Sequence, residues 1–130
     1  MSLKVTLLPC RLQVHVKNVG SMKGVHLELI YTVYPEKSEA IEAGRKLVAS
    51  KLAACVNLVD GMISIYEWKG KLNEDQEVIL LAKTNAKLLD KAMDLIRSNH
   101  SYECPAIFSF SASKIDSNYQ KWLDYTLGIR

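Results

Sequence analysis

No apolar run in these 130 residues approaches the roughly 18 that a membrane-spanning helix requires; stretches such as Val78 to Ala82 are strand-sized. A membrane span is therefore not expected. Cysteine is scarce: Cys10, Cys55 and Cys104 are odd in number, widely separated and without CxxC spacing. That argues against a disulfide framework and a structural zinc site, and favours a reducing compartment. Charge of one sign is missing too. The formal net charge is +3, with Lys and Arg interspersed among Glu and Asp, so no polybasic block draws the chain to nucleic acid or an anionic membrane. No Gly-rich phosphate loop is present, and no nucleophile–base–orienter set can be read from spacing, so the chain does not read as an enzyme. The opening residues MSLKVTLLPCRLQ hold too short an apolar segment for a signal h-region, and no small-residue cleavage pattern follows. A cytoplasmic location is the expectation.

What is present is an ordinary globular composition, 48% apolar and 24% charged, in a length that suits one domain. Residues 1–23 read as an N-terminal extension in which Leu12, Val14 and Val16 alternate with Gln13, His15 and Lys17, as an added strand would. Residues 24–130 read as the domain. A strand is expected over Val25–Tyr34, with Leu27, Leu29 and Tyr31 on one face, stopped by Pro35, which brings no N–H donor. A long helix follows over Glu36–Ala54, with Ile41, Gly44, Val48 and Leu52 near one face. Cys55–Trp68 reads as a long strand bent or bulged at Asp60-Gly61; after a Lys69-Gly70 turn, Lys71–Lys83 returns through the apolar run Val78–Ala82. Leu88, Leu89, Ala92, Met93 and Ile96 keep helical spacing between Asn85, a cap residue, and Ser98-Asn99. Phe108, Phe110 and Ala112 alternate with Ser109 and Ser111 as a strand with one buried face, and Asp116 or Ser117 caps a closing helix that ends at Gly128.

The order β-α-β-β-α-β plus one helix predicts an α+β, ferredoxin-like split βαβ fold, two helices covering one face of a four-stranded antiparallel sheet. The hairpin strands exceed the usual five or six residues, so their outer parts should project as an arm that asks for a partner chain.

Several short motifs recur in order along the chain. They are the helix end Lys51–Asn57 (KLAACVN), the hairpin set Ser64, Tyr66, Trp68, Gly70 and Lys71, then Glu77 before an apolar strand ending in Lys83-Thr84, then His100 and Tyr102, and finally Tyr119 and Trp122. Together, over about residues 25 to 125, these resemble the signature of the CutA family, small proteins named for divalent-cation tolerance, and a diverged animal-type member in particular. The resemblance implies a ferredoxin-like homotrimer with hairpins paired between subunits. It also implies a binding role linked to copper or another divalent cation and, for animal members, a partner role in acetylcholinesterase processing or anchoring. Of the ligand set some relatives carry, only His100 stands here: the cysteine near the first-strand proline aligns with Thr32 to Tyr34, and the glutamate after the His-Pro-Tyr segment is Ala106. The middle proline is Ser101, which lifts the backbone restriction on His100. One imidazole against the three or four ligands that Cu²⁺ or Zn²⁺ takes predicts at most weak metal binding.

The remaining site candidates are Tyr66, Trp68, Lys71, Lys83, Tyr102 and Trp122, assigned to a ligand or intersubunit cleft. Each has a structural reading beside it. Tyr66 and Trp68 serve packing against a neighbour's sheet or the helix bearing Trp122; Lys71 and Lys83 are solvated or paired with Glu67, Glu74 or Glu77; His100 caps the preceding helix; Cys55 is a small buried apolar residue. The leading functional expectation is a non-enzymatic homotrimeric binding or scaffold protein. An enzyme or sensor that takes a small anionic ligand in an intersubunit cleft, through Lys71, Lys83 and His100, is the alternative. An RNA-binding sheet is the third reading, and Val78 to Lys83 lacks the aromatics it needs.

Overall fold

A computed structural model of the chain describes residues 27–129; the expected extension over 1–23, with its alternating segment, lies outside the described residues. The elements are β1 (Leu27–Tyr34), α1 (Lys37–Ala49), β2 (Cys55–Trp68), β3 (Lys71–Asn85), α2 (Leu89–Ser98), β4 (Ile107–Ser111) and α3 (Ser117–Thr126). All strand pairings are antiparallel and the sheet order is β2-β3-β1-β4, the split βαβ arrangement.

Period-two alternation decides which side chains enter the core. Ile30 and Tyr34 from β1, with Val78, Leu80 and Ala82 from β3, meet Ala40, Ala43 and Leu47 of α1 and Ala92 and Ile96 of α2. The buried stripe of α1 is thus Ala40, Ala43, Gly44 and Leu47 rather than the expected Ile41, Gly44, Val48 and Leu52. Small residues win because α1 lies close to the sheet: a Cβ on Gly44 would sit 3.2 Å from Val56 Cγ1. The helix is also shorter than expected. It stops at Ser50, Lys51 turns left-handed (φ 59°), and the Leu52 and Ala53 amides both donate to the Leu47 carbonyl, at 2.9 and 3.1 Å.

The opposite sheet face is largely uncovered. Register places Leu29, Tyr31, Ile79, Leu81, Phe108 and Phe110 on it, and Tyr31 stacks on Phe108 at 4.7 Å. The alternation in β4 was legible, but the face it buries was not: Ile107 meets the core, while Phe108 and Phe110 (57% exposed) point outward. Leu123 of α3 and Leu127 just after it close the Leu27 end of the sheet against Ala54. Asp116 caps α3 by accepting from the Asn118 and Tyr119 amides, both at 3.1 Å. Asn85 Oδ1 accepts from the Leu88 amide at 3.0 Å, capping the turn that leads into α2 rather than α2 itself.

β1 runs out of partners at Tyr34↔Val78, and beyond that point β2 and β3 continue alone. The break occurs at the predicted bulge: pairing shifts between Val59 and Met62, Gly61 takes φ +74°, and its amide donates to Asp60 Oδ1 at 2.8 Å. From Met62↔Glu77 to Trp68↔Lys71 the ribbon reaches about 20 Å past the body at the usual strand rise. Lys69 and Gly70, at φ 50° and 74°, supply the two left-handed residues of a tight hairpin turn.

Candidate functional site at the base of the hairpin arm

Where the arm leaves the body, the loop after α2 folds over the end of β1 and buries a polar cluster that sequence reasoning had only in pieces. Asn99 ends α2 by donating its side-chain amide to the Leu95 carbonyl at 2.9 Å, which frees His100 to turn inward. The His100 side chain has no exposed surface and stacks on Tyr34, with centroids 4.3 Å apart and planes 10° from parallel. Its Nε2 lies 2.8 Å from the Val33 carbonyl oxygen, and the Tyr102 amide is 3.1 Å from Nδ1. A carbonyl can only accept and an amide N–H can only donate, so the imidazole is neutral with its proton on Nε2. Burial holds its pKa below the usual histidine value, opposed by the Val33 carbonyl, Glu39 and Glu77. His100 therefore ties the loop to β1; it does not cap the last carbonyls of α2.

Two carboxylates flank it. Glu39 of α1 accepts from the Ser101 hydroxyl at 3.0 Å and stands 4.0 Å from His100 Nδ1. Ser101, which replaces a proline of the resembling segment, thus has an occupation of its own. Glu77 of β3 is only 2% exposed, and its Oε2 accepts from the Tyr102 hydroxyl at 2.5 Å. A charged acceptor so deeply buried needs such a donor. Tyr34 is fully buried and its hydroxyl has no hydrogen-bond partner among the described residues; burial, then Glu39, raises its pKa well above the ordinary phenol value. Beside Glu77 opens a small cleft of about 170 Å³, lined by Pro35, Glu36, Lys37, Asp60, Gln76 and Val78 as well. Glu39 and Tyr34 were missed by sequence reasoning. The one signal for them was a tyrosine just before Pro35 and a glutamate in the first turn of the helix that follows, which reads as an ordinary helix start.

As a metal centre the cluster is ill suited. Both His100 nitrogens are hydrogen-bonded, and among the described residues no group of three or more His, Cys, Asp or Glu side chains is arranged to hold an ion. As a general base His100 is blocked, because its Nδ1 lone pair accepts from the Tyr102 backbone amide.

The other expected site residues occupy three separate places in one protomer. Tyr102 belongs to the buried cluster. Tyr66, Trp68 and Lys71 are out on the arm, where the Tyr66 hydroxyl donates to Asp75 across the ribbon. Lys83 and Trp122 are at the far end of the sheet: Lys83 Nζ sits 5.7 Å from the Tyr119 ring centroid, and Tyr119 tilts against Trp122 at 5.5 Å. Lys83 thus meets an aromatic face instead of a glutamate. From Glu77 to Lys83 is about 20 Å along β3, and from Glu77 to the arm tip about 20 Å the other way, so no single protomer gathers these residues. Cys55 is a half-buried free thiol at the start of β2. Cys104 is disulfide-bonded, so among the described cysteines the expectation of unpaired thiols holds for Cys55 alone.

Among the described residues no helix is long and apolar enough to cross a membrane. The family model for the CutA1 divalent ion tolerance protein matches residues 28–126. The Xenopus laevis protein CutA homolog is 40% identical over 97 residues, which is 75% of this chain and 64% of that protein. The divalent-cation tolerance protein CutA of Thermus thermophilus is 35% identical over 101 residues, 78% of this chain and 98% of that protein. Human protein CutA is 38% identical over 72% of this chain, and the match spans 52% of its length, so the chain covers little more than half of some eukaryotic relatives. The crystal structure of CutA1 from Oryza sativa superposes with a TM-score of 0.75 at 32% identity, over 82% of this chain and 95% of that one. That of CutA1 from Ehrlichia chaffeensis gives 0.77 at 25% identity, over 80% and 97%. A match over most of the domain, in sequence and in superposed fold, means that this chain belongs to the CutA1 divalent ion tolerance family.

Proposed function

We propose that the chain acts as a non-enzymatic homotrimer with a binding or scaffold role. The observation that carries this reading is the unpartnered apolar surface on the open sheet face and arm. Phe108, Phe110 and Val59 lie exposed on the sheet, and Ile63, Ile65 and Leu72 (77% exposed) lie exposed on the arm. Monomers rarely leave so many large apolar groups together in water, and a protruding ribbon with free edges is stable chiefly when another chain completes it. Three copies is the number the family resemblance implies. In such an assembly the arm residues Tyr66, Trp68 and Lys71 of one copy would approach the body of the next, the one way the dispersed candidates could share a cleft. An animal-type origin belongs to the same reading and is supported by the somewhat higher identity to the vertebrate relatives. Phe110→Asp, which puts a charge on the open face, should dissociate the assembly in sedimentation velocity; an unchanged sedimentation coefficient would remove that face from the interface.

Divalent-cation binding is the subsidiary part of the proposal. Any ion taking His100 Nδ1 must displace the Tyr102 amide, and one taking Nε2 must displace the Val33 carbonyl, so binding through this residue is weak. Calorimetric titration with Cu²⁺ should show low affinity, reduced further in His100→Ala. Equal affinity in the variant would exclude His100 as a ligand.

A further inference from the structure

A sizeable concavity belongs neither to the arm nor to the polar cluster. It runs between α1 and β2, which is an edge strand of the sheet, and has a volume of about 540 Å³, within the roughly 300–1,000 Å³ of small-molecule sites. Ile41 and Val48 form one wall from α1, Val56 and Leu58 form the floor from β2, and Gly44 brings helix and strand together at the base. These α1 residues make a second apolar stripe, left over after Ala40, Ala43 and Leu47 have filled the core. This stripe is partly open to solvent, Val48 being exposed.

One charged side chain faces this groove, Arg45. Its neighbour Lys46 is paired with Glu42 at 4.0 Å, whereas Arg45 makes no ion pair or hydrogen bond among the described residues. A planar guanidinium beside an apolar trough is complementary to a single planar anion carrying hydrocarbon. A dianionic phosphate would leave charge unmatched, and a neutral hydrocarbon would leave the guanidinium unused. We propose that the groove between α1 and the edge of β2 binds a small amphipathic monocarboxylate, its hydrocarbon part on Ile41, Val48, Val56 and Leu58 and its carboxylate on Arg45. This site is separate from the arm, and its lining residues are all in one protomer.

Octanoate titrated into the full chain in its native assembly state, followed by amide chemical shifts, tests it, with 1-octanol as the uncharged counterpart. Saturable shifts should centre on Gly44, Arg45, Val48 and Val56. Arg45→Gln should weaken octanoate by about tenfold, the scale of a lost charge-assisted contact, and leave octanol unchanged. Val48→Lys, a change at an exposed helix position, should weaken both. The proposal is overturned if shifts spread over the open sheet face, if Arg45→Gln binds octanoate like the parent, or if no saturable binding occurs because another copy already covers the groove.

Discussion

Tyr102→Phe removes one oxygen atom and tests whether the polar cluster holds the loop after α2 in place. The ring stays, so the contact with His100, at 5.0 Å between centroids, and the burial of the aromatic body are retained. What is lost is the O–H donated at 2.5 Å to a carboxylate with 2% of its surface in water. Hydrogen bonds to charged groups contribute about 1.5–3 kcal/mol, and a buried carboxylate left short of a donor sits at the upper part of that range, so a loss of about 2–3 kcal/mol is expected. Urea denaturation at pH 7 and fixed protomer concentration should show a lower midpoint with an unchanged slope. Tyr102→Phe combined with Glu77→Leu should recover part of the loss, because removing both partners leaves no charge stranded. A single variant within about 0.5 kcal/mol of the parent, the usual effect of a surface change, would refute the assignment of Tyr102 as the donor that Glu77 depends on.

The neutral His100 makes stability depend on pH in a fixed direction. Its folded pKa lies below the ordinary histidine value of about 6.5, so the unfolded chain binds the additional proton first; stability is full above about 6.5 and is lost as pH falls through the folded pKa. Thermal melts between pH 7.5 and 5 should show a falling Tm that His100→Gln flattens; a Tm that rises on acidification would reverse the sign and the tautomer with it. Gly44→Val should destabilise by about 1–3 kcal/mol, as overpacking does, because its Cβ would meet Val56 Cγ1 at 3.2 Å. A neutral result in chemical denaturation would mean that α1 can move off β2 without cost.

Element order, the bulge, the tight turn and the cap of α3 were legible because each is local: Gly61 and Gly70 serve positive φ, and Asp116 has two amides within reach. What the sequence concealed was which of two plausible faces wins. In α1, Ile41 and Val48 are the larger apolar residues, yet the close approach at Gly44 selects Ala40, Ala43 and Leu47. In β4 the alternation is plain, but its phenylalanines point away from the helices, so hydrophobicity alone assigns them to the wrong layer of the protomer. The candidate site divided in the same way. His100 and Tyr102 could be named from their segment, while Tyr34 and Glu39 enter only because the chain doubles back over the end of β1.

The most direct test of assembly through the arm and open face is the molar mass of the unaltered chain by light scattering across a micromolar concentration series. Three times the chain mass, constant on dilution, is the predicted result. A stable monomer throughout the series would contradict it, for it would leave Phe108, Phe110 and the whole outer ribbon in water with nothing to cover them.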